Sequence, residues 1–251
     1  MAATAGDDVG DFSRRLAAVR DRIAEACGKV GRAAEDVAVL AVSKRHPVGK
    51  IEAAFACGQF AFGENRVQEL VAKAEHFAAD PPAAVGSSGL AKPIEWHLIG
   101  SLQTNKVKDV VGVAGLTLLH SMDRRKLADE LQRSLLATDQ RMHVLLQVNA
   151  SGEEQKHGCP VDAAAQLLEH VQTHCGQLEV DGLMAMGPLD GDPAPVFARV
   201  ADLHDKLRQA SGLKLPTRSL GMSGDLEQAI AAGSTMVRIG TALFGARPPM
   251  A

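Results

Sequence analysis

Tyrosine is absent from the 251 residues and tryptophan occurs once. A mechanism that needs a phenolic acid or base is therefore excluded from this chain. The four cysteines, Cys27, Cys57, Cys159 and Cys175, form no CxxC pair and show no zinc-ligand spacing with the histidines. Neither a structural zinc site nor a disulfide framework is expected, and no metal is assigned. A reducing cytoplasm is the expected compartment. No segment offers the ~18 uninterrupted apolar residues of a membrane span. The start, MAATAGDDVGDFSRR, lacks the cationic and apolar regions of a signal peptide. An excess of positive charge is also missing: 27 Lys+Arg stand against 30 Asp+Glu, a net charge of −3, which argues against a nucleic-acid partner. What remains is 46% hydrophobic and 23% charged, enough apolar material for a core. The length suits two modest domains or one α/β barrel.

Apolar residues Phe12, Leu16, Val19, Ile23 and Cys27 recur every three to four positions, predicting an amphipathic helix from Asp11 to Gly28. Short apolar runs then alternate with helical segments. Strands are predicted at 37–43, 60–63, 95–100, 116–121, 143–148, 178–185, 217–221 and 236–240. Helices are predicted at 48–57, 65–76, 104–112, 123–136, 161–174, 194–210 and 224–232. Buried runs between helices indicate parallel strands covered on their faces. Eight is the number that closes a (β/α)8 barrel, although periodicity fixes the alternation and leaves an open doubly wound sheet as the other solution. The stretches 79–93 and 187–195, rich in Pro, Gly and small residues, are predicted loops. Neither divides the chain, so residues 1–251 are read as one domain, with its core at about 37–245.

Parallel α/β folds collect their functional groups at the C-terminal ends of strands, and barrels often build a phosphate site after strands seven and eight. Here those places hold Gly221-Met222-Ser223-Gly224-Asp225 and Gly240-Thr241-Ala242-Leu243-Phe244-Gly245. Each opens a predicted helix, whose first amides are unsatisfied donors suited to an anion; each is also readable as an ordinary turn. Lys44 follows the first strand. In the barrel mouth partial desolvation frees its amine for Schiff-base chemistry, whereas at a solvated strand end it does nothing. Together with a phosphate cradle, an imine-forming lysine suggests a phosphorylated aldehyde, pyridoxal 5'-phosphate (PLP). Arg238, within the last strand, needs a polar partner if it points inward: the cofactor's ring nitrogen or a structural ion pair.

The strings VLAVSKRHP, FGENRVQEL, WHLIGSLQTNK, LQVNASGEEQKHG, GLMAMGP and LGMSGDLEQAIAAGSTMVRIGTALFG, in that order, resemble the signature segments of the pyridoxal phosphate homeostasis protein family. The resemblance spans about Val37 to Gly245. It implies a single barrel like the N-terminal domain of alanine racemase, a PLP-binding role in intracellular cofactor homeostasis, and specific residues. The Schiff-base lysine falls on Lys44, the phosphate contacts on Ser223, Gly224, Gly240 and Thr241, and the ring-nitrogen arginine on Arg238. The asparagine near the ring falls on Asn65 and an apolar position on Met184. Arg66 stands where relatives commonly carry an aromatic residue, which leaves the surface beside Asn65 open.

Other residues carry weaker signals. His97 ends a strand and is assigned to the cofactor site, with a structural role as the alternative. Lys156 offers a second amine or is an exposed loop lysine. His170 and His174, four apart, lack a third ligand and read as a solvated helix face. The enzymatic alternative is a racemase of the alanine racemase class. It requires two opposed bases, the second of them there a tyrosine from a further C-terminal domain. This chain has no tyrosine and is expected to leave no room for that domain after Gly245; Cys159 is the residue that can stand in as a base. An arginine at the ring nitrogen also weakens the electron sink. The expectation is a cofactor carrier, monomeric or weakly dimeric, passing PLP to apo PLP-dependent enzymes without substantial amino-acid turnover.

Overall fold

The computed structural model describes residues 5–80 and 92–246. Most of the loop predicted at 79–93 lies outside them. The first element, α1 (Ala5–Lys29), begins six residues before the start predicted at Asp11, because the apolar stripe that marks it in the sequence starts only at Phe12. Phe12, Leu16, Val19, Ile23 and Cys27 are buried, the first four each worth about 1.5–3 kcal/mol if fully buried.

Alternation then runs through β1 (Ala38–Val42), α2 (Val48–Ala56), β2 (Ala61–Glu64), α3 (Val67–Ala79), β3 (Glu95–Leu98), α4 (Val107–Val110), β4 (Leu116–Met122), α5 (Arg125–Thr138) and β5 (Met142–Asn149). It continues through β6 (Cys159–Pro160), α6 (Ala164–His174), β7 (Leu178–Met184), α7 (Ala194–Ser211), β8 (Thr217–Ser219), α8 (Leu226–Ala231), β9 (Met236–Ile239) and α9 (Thr241–Phe244). All pairings are parallel. The sheet order β4-β3-β2-β1-β9-β8-β7-β5 is closed by pairing of β4 with β5, so these eight strands form a barrel and the open-sheet alternative falls. The two-residue β6 pairs with the end of β5 through Val148 to Cys159 and Asn149 to Pro160. Its two residues carry no periodicity by which the sequence could announce it.

Side chains alternate between the two faces of each strand. One face feeds a large core shared with the helices, from Phe12 to Phe244. The other points into the ring, where Leu118, Leu145 and Met184 form a separate small cluster with Met236 against it. Above this floor the interior turns polar, with His97, His120, Ser219 and Arg238 all buried. The helix predicted at 104–112 is shorter than expected: a 3-10 turn, Thr104–Lys106, leads into the four residues of α4.

Candidate functional site

A cavity of about 340 Å³ opens at the C-terminal ends of the strands. Val42 and Lys44 reach it from β1, Asn65 from the end of β2, and Ile99, Gly100 and Ser101 from beyond β3. Gln147, His157, Met184 and Met186 line the side of β5 and β7. Met222, Ser223 and Gly224 follow β8, and Arg238, Gly240 and Thr241 belong to β9 and its turn. Eight of the nine sequence-assigned residues thus meet around one space.

Lys44 Nζ donates to Asn65 Oδ1 at 3.4 Å, an amine and an amide from adjacent strands sharing the cavity wall. Asn65 is held in place by a close approach: a Cβ on Gly100 would sit 2.0 Å from the Asn65 carbonyl oxygen, so only glycine fits there.

Across the cavity, the turn after β8 depends on Gly221. Its φ is +87° and a Cβ there would lie 2.5 Å from the Ala229 methyl, which excludes an L side chain on two grounds. Arg22 of α1 braces the turn from outside, with both Nη atoms 3.1 Å from the Ser223 carbonyl and a bidentate pairing to Glu227 at 2.8 to 3.0 Å. In a trans peptide the N–H points opposite to the carbonyl. With the Ser223 carbonyl fixed on Arg22, the Gly224 N–H therefore faces away from α1, and Gly224 lines the cavity. A Cβ on Gly224 would meet nothing within 4 Å, so bare backbone is presented to open space. The sequence predicts a helix N-terminus at each of the two turns, after β8 and after β9. The helices are only six and four residues long, so what these turns could offer an anion is the Gly224 N–H and the Ser223 and Thr241 hydroxyls on the cavity wall.

Arg238 points inward and its partners are protein atoms. Nη1 donates to the Ser219 carbonyl and, at 2.8 Å, to Ser219 Oγ, while Nη2 donates to the Ala185 carbonyl at 2.8 Å. Because a guanidinium only donates, Ser219 Oγ accepts from Arg238 and gives its own proton to His120 Nδ1, 3.2 Å away. His120 then carries its proton on Nε2 and donates to His97 Nδ1 at 2.9 Å. Both imidazoles are neutral. Burial pushes His97 down to about 4, and His120 is held well below its ordinary value by burial, then by His97 and Arg238. Burial also lowers Arg238, to about 10, which leaves it charged at neutral pH. His97 is not among the residues lining the cavity; it sits behind Arg238 in this chain of donors.

Lys156 differs from an exposed loop lysine: its side chain is 9% exposed and bound to the Gly187 carbonyl at 2.6 Å, with Glu153 as counter-ion. His170 does gain neighbours that the sequence spacing hid. Ligand atoms of Asp129, His170 and Cys175 lie within 4.8 Å of one another. His170 Nε2 is already bonded to Asp129 Oδ1 at 2.6 Å, and the Cys175 thiol is pushed up by burial and by Asp129. Cys159 is buried in β6 with its thiol pushed up to about 12, first by burial, so it is no base at neutral pH. Sequence reasoning missed His157, Gln147 and Met186, which reach the cavity from the 146–158 and 182–188 segments. No chemical pattern marks them; only the ring brings them there.

Residues 15–248 match the family described as alanine racemase, N-terminal domain. The pyridoxal phosphate homeostasis protein of Escherichia coli (strain K12) is 40% identical over 247 residues, covering 95% of this chain and 98% of that protein. The solved structure of PipY from Synechococcus elongatus PCC7942, with PLP bound, aligns at a TM-score of 0.76 and 31% identity, over 93% of this chain and 100% of its own. Alanine racemase of Clostridium difficile 630 shares the fold alone, at a TM-score of 0.70 and 12% identity, over 96% of this chain and 58% of its own.

Proposed function

We propose, for a chain that belongs to the pyridoxal phosphate homeostasis protein family and carries the alanine racemase N-terminal domain, that the strand-end cavity holds PLP on Lys44. The protein then stores the cofactor and passes it on instead of turning over amino acids. The observation that carries this reading is the meeting, in one cavity, of a lysine amine, an amide-rich turn opposite it and an inward arginine. The open backbone at Gly224 and the outward-turned Ser223 carbonyl suit a phosphate; the Lys44 amine suits an aldehyde. When bound, the cofactor supplies an electrophilic aldehyde carbon with which a lysine amine condenses.

Each lining residue then has a task. Lys44 Nζ is the nucleophile, and Asn65 Oδ1 orients it. Ser223, Gly224, Gly240 and Thr241 would hold the phosphate, and Met184 would supply an apolar wall for the ring. Arg238, donor-only and fixed by Ser219 and Ala185, would offer the ring nitrogen a donor and no acceptor for its proton, withholding the acid that a strong electron sink needs. His97 acts through His120 and Ser219, holding Arg238 in its orientation. Residues 1–251 act as one domain with its core at about 37–245, in the cytoplasm, as a monomer or weak dimer, and the recipients are apo PLP-dependent enzymes. The relatives' names as homeostasis proteins accord with a carrier.

The test is borohydride reduction followed by peptide mapping. Wild type loaded with PLP should give one dominant adduct on Lys44, and Lys44→Ala should lose it; a dominant adduct on Lys156 would overturn the assignment. The racemase reading has one observation on its side, His157 in the cavity wall. Deuterium exchange at the amino-acid Cα decides it: the carrier gives no exchange near 1 per second, and rapid exchange abolished by Lys44→Ala would make the protein an enzyme.

A further inference from the structure

The turn that carries Lys44 is tied on both sides to one buried ion cluster. Lys73, on α3, is four residues after Glu69, so the two share a face of that helix. The Lys73 side chain is 7% exposed, Glu64 is fully buried and Glu69 is 22% exposed. Lys73 Nζ uses all three of its protons: on the Ser43 carbonyl at 2.9 Å, on Glu64 Oε1 at 2.7 Å and on Glu69 Oε1 at 3.2 Å. Ser43 Oγ also donates to Glu64 Oε1 at 2.6 Å. On the far side of Lys44, the Arg45 backbone N–H donates to Glu69 Oε1.

Arg45 has φ +66°, a conformation that residues other than glycine enter at a cost and hold only when surrounding contacts impose it. Glu69 supplies such a contact. From β1 and its turn, the cluster engages residues 43 and 45, the two neighbours of Lys44 in the chain. Burial raises Glu64 while Lys73 opposes that shift, so the lysine ammonium is the group that compensates an otherwise costly buried carboxylate.

We infer that Glu64, Lys73 and Glu69 are positioning residues that clamp Ser43 and Arg45 and thereby aim the Lys44 amine into the cavity. This rests on the reading of Lys44 as the cofactor lysine. Condensation, in which the neutral amine bonds to the aldehyde carbon and the carbonyl oxygen leaves as water with the two amine protons, requires the nitrogen to approach along a narrow path, and displacement by about 1 Å can cost a hundredfold in rate. Affinity for the phosphate and ring, set on the opposite wall, does not depend on that aim.

The experiment separates the two. Glu69→Ala removes the Arg45 tether and leaves the buried Lys73 to Glu64 pair in place; Glu69→Gln keeps an acceptor oxygen. Binding of pyridoxine 5'-phosphate, which has the phosphate and ring but no aldehyde, is measured beside the rate of borohydride-trapped adduct formation with PLP. Glu69→Ala should slow adduct formation on Lys44 by about tenfold or more, with pyridoxine 5'-phosphate affinity within about twofold of wild type and Glu69→Gln largely restoring the rate. Lys73→Met, checked for folding by the same analogue, should slow it further and shift part of the adduct to other lysines. Trapping on Lys44 at the wild-type rate in Glu69→Ala, or parallel loss of analogue binding, overturns the clamp. Failure of the wild type to form an adduct on Lys44 instead overturns the cavity reading on which the clamp stands.

Discussion

Ser223 illustrates how one residue is made useful by what surrounds it. Its carbonyl is occupied by Arg22, its place in the chain is fixed by the left-handed Gly221 two residues earlier, and it lines the cavity. A hydroxyl donating to a phosphate makes a charge-assisted hydrogen bond worth about 1.5–3 kcal/mol. Ser223→Ala is expected to weaken PLP binding about tenfold or more, and isothermal titration checks it. Pyridoxal, without the phosphate, should bind the variant as well as wild type. An equal loss for both ligands would remove Ser223 from the phosphate site.

Among the elements, α1 does more than cover the barrel. It packs against α2, α8 and α9, bridging helices that flank the first and last strands. Through Arg22 it reaches the turn after β8 and the first turn of α8 at Glu227. The pair is about 40% exposed on both sides, so its electrostatic part is screened and the bonds to the Ser223 carbonyl dominate. Arg22→Gln should cost about 1 kcal/mol in phosphate affinity, roughly fivefold, by letting the turn relax. Lys44 adduct formation at saturating PLP should be unchanged. Titration with PLP, followed by trapping at saturation, distinguishes the two; a slower trapping step at saturation would mean that α1 shapes the lysine side as well.

For the whole molecule, the buried neutral imidazoles predict acid sensitivity. The folded His97 titrates at about 4 against an ordinary 6.5. As pH falls below 6.5 the unfolded chain takes up a proton that the folded chain refuses, so stability is complete above 6.5 and is lost toward 4. His97 alone should remove about 2 kcal/mol between pH 7 and pH 5, and His120 acts in the same direction. Urea midpoints at the two pH values measure it. His97→Gln should flatten the dependence, and an equal slope in that variant would place the effect elsewhere.

The β-branched and apolar runs separated by amphipathic segments determined the strands and helices, because burial period is a local property of sequence. Six ordered motifs likewise brought Lys44, Asn65, Met184, Ser223, Gly224, Arg238, Gly240 and Thr241 into view. Closure was decided only by the pairing of β4 with β5, two strands whose patterns are equally at home in an open sheet. Tertiary structure alone put His157 in the cavity wall, set His97 behind Arg238 with His120 and Ser219 between, and joined Glu64, Lys73 and Glu69 to the turn around Lys44. These are contacts between side chains brought together by the curvature of the ring and by the packing of α3 on it. Local periodicity carries no record of such distances, and a buried lysine reads in sequence like any helix-surface lysine until its carboxylates are found.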